Sequence, residues 1–196
     1  VHVMVVMVNT SQLKGLPAPK SWSDILDEKW RGRIAITDPS KSSASYIQVY
    51  GIYKLLGPES LERLAKNVVI TGSTGQTYKG VGTGEYVAGI TMEYAAYDYV
   101  DGGQQNISIV YPSEGTFLSP EGIVLIKNSK HPEVQEALLR TSFRRPSRND
   151  IKITQYVKLP ELDEIKVSAV DQSIATEEYE SVINLWSNFV VKAKSN

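Results

Sequence analysis

Two short polar stretches of this 196-residue chain carry the side chains best suited to holding a ligand. Ser40 to Ser45 contains Ser42, Ser43 and Ser45, and Gly72 to Thr77 contains Ser73, Thr74, Gly75 and Thr77. Each follows an apolar, β-branched run and precedes residues with helical spacing, so each is expected at the mouth of a helix. The first N–H groups of a helix have no partner within it. Hydroxyls add further donors there, and glycine lets the backbone come close. Such dipoles can neutralise a phosphate, phosphonate or carboxylate without a cationic side chain. Ordinary N-capping by Ser and Thr accounts for the same residues, and sequence alone leaves both readings open.

Thr91-Met92-Glu93-Tyr94-Ala95-Ala96-Tyr97 is the third stretch of interest, at the end of an expected strand. Glu93 offers a carboxylate that could accept hydrogen bonds from ligand hydroxyls or pair with an ammonium; it could equally just complement a helix dipole. Arg144, Arg145 and Arg148 fit a solvated turn, or an ion pair with Asp150, better than a phosphate site. Catalysis finds little support. There is no cysteine and only two histidines, His2 and His131, which removes thiolate chemistry and leaves almost no room for a histidine triad or metal site. Gly80, Gly82 and Gly84 lack the spacing and the lysine of a phosphate-binding loop. No catalytic residue, resident metal or cofactor is therefore assigned, and an enzyme is not expected.

Charge narrows the partners. With 21 basic and 22 acidic side chains and a net charge of −1, the chain lacks the cationic field that nucleic acid or an anionic membrane surface would need. No apolar run reaches the roughly 18 residues of a membrane span, and the first eight residues have neither the basic flank nor the cleavage site of a signal peptide. Lack of cysteine fits an oxidising compartment.

The elements that must position these residues alternate. Val1 to Val8 reads as a strand buried on both faces. Such a strand needs neighbours on both sides, and opening on one is expected of the later part of a longer protein. A short helix is expected to open at Ser21-Trp22-Ser23-Asp24, a strand over Arg33 to Thr37, and a helix presenting Tyr46, Val49, Tyr50, Tyr53 and Leu56, ended by Gly57-Pro58. A helix over Leu61 to Lys66, a strand over Val68 to Thr71 and a glycine-weakened helix follow. Then come a strand over Tyr86 to Thr91, a helix over Met92 to Val100 and a strand over Ile107 to Tyr111. This rhythm predicts an α/β fold with a parallel-rich sheet covered by helices. Beyond Pro112 it changes: a strand is expected over 122–127, a helix over 132–139 and one long amphipathic helix over 174–191. The tyrosines at helical spacing and Trp22, Trp30 and Trp186 are expected to pack in the core.

Several segments carry a resemblance. They are Pro19-Lys20-Ser21-Trp22-Ser23-Asp24-Ile25-Leu26, Lys29-Trp30-Arg31-Gly32-Arg33-Ile34-Ala35, Asp38-Pro39-Ser40-Lys41-Ser42, Gly84-Glu85-Tyr86-Val87-Ala88-Gly89-Ile90 and Val110-Tyr111-Pro112-Ser113-Glu114-Gly115-Thr116. Lys127 to Glu133 and Arg145 to Ile151 continue the series. Over almost the whole chain, and in order, these resemble the periplasmic solute-binding proteins of ABC importers, in the branch that includes ferric-iron, polyamine, thiamine, phosphonate and sugar-phosphate binders.

The resemblance implies a type 2 periplasmic binding fold with one lobe fairly complete and the other partial. Residues 1–9 would be a crossing strand from the first lobe, 10–108 the second lobe, 109–118 the return crossing and 119–196 the C-terminal part of the first lobe. It implies a periplasmic or extracytoplasmic protein that captures a small anionic solute, foremost a sugar phosphate or related organophosphate, and delivers it to a membrane permease. The expected ligand-binding residues are Ser42, Ser43, Ser45, Ser73, Thr74, Gly75, Thr77 and Glu93. The ferric-iron binders of the family have two adjacent tyrosines at the position of Tyr94, but here Ala95 follows, so an iron site would have to use Tyr94 or Tyr97. The segments at His131-Pro132-Glu133 and Val134-Gln135-Glu136-Ala137-Leu138, separated by a longer helix in the family, abut here. Apolar surface left by a partial lobe would favour self-association.

Overall fold

The computed structural model describes residues 1–120, 127–131, 133–134 and 159–195. Its first strand, β1 (His2–Asn9), is buried from Val3 onward. It runs antiparallel to both of its neighbours, β4 (Ala88–Met92) and β5 (Ile107–Val110). On the other side of β4 lie β2 (Ile34–Thr37) and the edge strand β3 (Val68–Thr71), each parallel to its neighbour. The order is β3-β2-β4-β1-β5, with the two-residue β6 (Leu118–Ser119) pairing with the start of β1. The expected α/β architecture is present, and among the described residues its parallel strands are interrupted by β1 alone.

Alternation along β1 splits the interior into two. Met4, Val6 and Val8 face one core, which α1 (Ser43–Leu56), α2 (Pro58–Asn67) and the C-terminal helix cover with Val49, Tyr50, Leu61, Leu64 and Trp186. Val3, Val5 and Met7 face the other, closed by Val81 of α3 (Thr74–Thr83) and Ala96 of α4 (Glu93–Asp101). A strand with water on neither face is stable only as an unbroken apolar run, as Val1 to Val8 is apart from His2.

Three elements differ from the sequence expectation. The glycines of α3 do not break it: a Cβ on Gly80 would lie 2.5 Å from the Tyr86 ring, and one on Gly82 would overlap that of Tyr99. Those positions are seats for aromatic rings, and the packing offsets glycine's low helix propensity. The short helix at Ser21 is instead a pair of 3-10 turns, Asp24–Leu26 and Glu28–Trp30, although Ser21 Oγ accepts from the Asp24 N–H as a cap would. The long terminal helix is divided into α5 (Gln172–Glu177) and α6 (Tyr179–Lys194). Between them the Glu178 carboxylate is held 2.9 Å from Tyr50 Oη and 3.3 Å from Lys54 Nζ. Tyr46 donates to the Ala175 carbonyl, and burial together with the Glu178 charge pushes its phenol up to about 12. α6 packs along α2, burying Val182 and Trp186. The strand expected over 122–127 and the helix over 132–139 lie largely outside the described residues, as do Arg144, Arg145, Arg148 and Asp150.

The return segment after β5 is clamped to the sheet domain. Glu114 accepts from the Trp22 and Ser23 N–H groups at 3.0 and 2.9 Å and from Ser23 Oγ at 2.8 Å. Burial opposes its charged form, yet these bonds hold the carboxyl below the ordinary glutamate range. The Trp22 indole N–H donates to Gly115 O, and its ring stacks 5.2 Å from Phe117. On its other side Phe117 lies over Gly51 of α1, where a Cβ would come within 2.6 Å of the ring.

Candidate functional site

The two hydroxyl-rich loops leave neighbouring strands at the same end of the sheet. Thr37, the last residue of β2, is in register with Thr71, the last of β3, and the Asp38 N–H donates to Thr71 O. From these points the chain turns into α1 on one face and α3 on the other, so two helix mouths open side by side beyond the carboxyl ends of parallel strands. In α/β sheets this is where ligands are held, and both helix dipoles present their positive ends there.

Each loop residue has a distinct place. Ser42 caps α1, its hydroxyl accepting from the Ser45 N–H at 3.3 Å, and Ser73 caps α3, accepting from the Gln76 N–H at 3.3 Å. Both hydroxyls keep their hydrogen for another acceptor. Ser43 is exposed, Thr74 and Gly75 are half-exposed, and their main-chain N–H groups belong to the first turns of the helices. Ser45 and Thr77 are buried. Ser45 donates its hydroxyl hydrogen to Thr37 O, while Thr77 Oγ1 lies 2.9 Å from Thr37 Oγ1 and 2.7 Å from Thr71 Oγ1. These two residues build the floor beneath the helix mouths and point away from solvent.

The sequence reading missed the strand-ending threonines. Ile36 pairs with Ile90, so one residue further on Thr71, Thr37 and Thr91 stand in a row on the α3 side of the sheet. Thr91 is fully buried, and its hydroxyl has no hydrogen-bond partner among the described residues. The signal was legible: three of the expected strands each end on threonine. A groove of about 630 Å³ opens beside the mouth of α3 and runs from Ser73 and Gly75 past Gln76 and Lys79 to Tyr86. That lies within the range of small-molecule sites, and Lys79 places a cation along it that the sequence reading did not single out.

Glu93 begins α4 at the carboxyl end of β4, so it belongs to the same edge of the sheet. It is 3% exposed, and Oε1 accepts from Tyr111 Oη at 2.6 Å. The two tyrosines of α4 diverge. Tyr94 is half-buried, its ring 5.3 Å from that of His2, whereas Tyr97 is buried and lines a groove with Tyr111, Ile107 and Pro160 on the β5 side. Among the described residues no cluster of three or more His, Cys, Asp or Glu side chains could hold a metal ion, and no helix is long and apolar enough to cross a membrane.

Comparison with known proteins agrees with the fold. The chain is 26% identical over 148 residues to the Fe(3+)-binding periplasmic protein of Serratia marcescens, a match covering 69% of this chain and 43% of that protein. The structure superposes, with a TM-score of 0.79 and 20% identity, on the periplasmic binding protein AfuA of Actinobacillus pleuropneumoniae with fructose-6-phosphate bound, covering 96% of this chain and 66% of that one. Iron-bound HitA of Pseudomonas aeruginosa gives 0.69 and 22%, over 96% and 67%. The chain thus spans less than half the length of the Serratia relative and about two thirds of these structures. Residues 1–142 match the sequence family described as bacterial extracellular solute-binding protein, and the chain belongs to that family.

Proposed function

We propose that this chain supplies the ligand-gripping lobe of an extracytoplasmic, non-catalytic solute-binding protein. In this reading it captures a small anionic solute, foremost a sugar phosphate or related organophosphate, and presents it to the permease of an ABC importer. The observation that carries this is the adjacency of the α1 and α3 mouths, set by the register of Thr37 with Thr71. An oxyanion between them takes N–H donors from the first turns of both helices, at Ser43 and at Thr74 and Gly75. Ser42 and Ser73 add hydroxyl hydrogens. Two positive dipole ends and uncharged donors hold such an ion without a net cationic surface, in keeping with the chain's net charge of −1.

Glu93 serves the other end of the ligand. Its carboxylate, oriented by Tyr111, stands on the same sheet edge and accepts from sugar hydroxyls. Ser45 and Thr77 act from below by fixing the two helix starts. The lobe is formed by residues 10–108, with 1–9 and 109–118 as the crossing segments and the second wall of the cleft contributed from outside that range. Calorimetric titration of the complete gene product with fructose 6-phosphate and with inorganic phosphate tests the reading. Saturable binding of the ester supports it; no heat with either, together with tight Fe(III) binding, reverses it.

Ferric iron is the second reading, favoured by the Serratia relative and by the half-buried Tyr94 at the carboxyl end of β4. It predicts a visible phenolate-to-iron charge-transfer band on adding Fe(III). A colourless protein, or a band unchanged by both Tyr94→Phe and Tyr97→Phe, removes it.

A further inference from the structure

The edge strand β3 has an incompletely paired outer side. The Gly32 N–H donates to Asn67 O and the Asp38 N–H to Thr71 O, so residues 67, 69 and 71 turn their main chain inward to β2. Those of Val68, Ile70 and Gly72 turn outward. Two of the outward donors are already met: the Val68 N–H closes α2 on Leu64 O, and the Gly72 N–H is held at 2.8 Å by Gln76 Oε1. This leaves Val68 O and both main-chain groups of Ile70 free of any strand neighbour among the described residues. An N–H and a C=O on one residue are what an antiparallel strand pairs with, two bonds at a time.

A groove of about 410 Å³ runs beside this edge, between β3, the end of α2 and the end of α6. Its walls are apolar, from Ala65, Val68, Val190 and Ala193, and its rim carries Lys66 and Lys194. Lys192 lies close by: Glu62 is shared between it and Lys66, at 2.9 and 3.1 Å, so two lysines share one carboxylate and Lys194 adds a further cation at the rim. A second copy of this chain docked across a two-fold axis would set those lysines against their own counterparts. The charge therefore selects an acidic occupant.

We propose that β3 is a docking edge for an extended, acidic and apolar segment of a partner polypeptide, added as a further strand on Ile70. Alternate apolar side chains of the segment fill the groove between α2 and α6, and its carboxylates meet Lys66 and Lys194. This surface lies beyond the last strand of the sheet, and the inference stands whatever solute the helix mouths hold.

The test uses the full chain and a fluorescein-labelled eight-residue peptide alternating valine with glutamate. Saturable anisotropy is expected, weakened about tenfold or more by Lys66→Glu with Lys194→Glu, which removes two charge-assisted contacts. N-methylating alternate peptide amides should abolish binding in one register and spare it in the other, since only one set faces β3. This arm leaves the protein unaltered, so it does not depend on a variant folding. Equal binding of both methylated registers, or of a valine-lysine peptide, overturns the proposal. Displacement of the probe by decanoate with no effect of methylation overturns it in favour of a small amphiphile. A concentration-dependent dimer that Ile70→Pro dissociates, without peptide binding, overturns it in favour of a second copy.

Discussion

Thr77 Oγ1 lies 2.7 Å from Thr71 Oγ1, and this contact ties the start of α3 to the end of β3. The same hydroxyl reaches Thr37 at 2.9 Å, so one fully buried side chain ties together the ends of both strands from which the helix mouths spring. The distance between those mouths is thereby set by short bonds inside the protein and not by loop length.

Thr77→Val keeps the shape and removes both bonds, stranding the buried Thr37 hydroxyl while that of Thr71 keeps its bond to Ser73 O. Urea unfolding should show a loss of about 1–3 kcal/mol. Thr77→Ser, which restores the hydroxyl, should recover most of it, and recovery no better than that of valine would show that the bonds contribute little.

Ser73→Ala leaves the Gln76 N–H only its 3.1 Å bond to the main-chain carbonyl of residue 73 and removes one hydroxyl donor from the mouth of α3. Stability should fall by about 1 kcal/mol. Calorimetry should show fructose 6-phosphate binding weakened by about tenfold or more, as expected for loss of a bond to a charged group. Ser43→Ala, which leaves a main-chain donor in place, should change affinity far less.

Gly51→Ala drives a methyl group into the Phe117 ring, and overpacking of this kind costs about 1–3 kcal/mol. Phe117→Leu makes room for it, so the double variant should be more stable than the two single losses predict. Additive losses in a thermal or urea series would remove the Gly51–Phe117 contact as the cause.

The Glu114 carboxyl sits below its ordinary value of 4.5 when folded. A depressed folded pKa means that the stabilisation is fully present above the unfolded value and is lost as pH falls through the folded one. Urea midpoints measured from pH 7 down to pH 3 should therefore drop less steeply in Glu114→Gln than in the unaltered protein. Parallel curves would show that the clamp on Trp22 and Ser23 does not depend on charge.

The residues 1–120 illustrate what can be read from sequence and what cannot. Strands were legible because a β-branched run such as Val3 to Val8, or Val68 to Ile70, has few other stable forms, and α1 because its tyrosines recur at helical spacing. The ring-seating glycines of α3 were read as weakness, since Tyr86 and Tyr99 approach them only once the chain is folded. The break at Glu178 was hidden for the same reason: the bonds that hold its carboxylate come from Tyr50 and Lys54, 128 and 124 residues away.

Within the site, local chemistry by itself determined that Ser42 and Ser73 would cap helices, because a cap involves only three or four consecutive residues. Which hydroxyls remain available to a ligand was decided by tertiary structure alone. Ser45 and Thr77 have the same side-chain chemistry as Ser43 and Ser73, yet their bonds go to Thr37 and Thr71, since strand register sets those partners beneath them. Register is a long-range property: two parallel strands 34 residues apart align because their apolar faces must share one core, and no window of local sequence contains both.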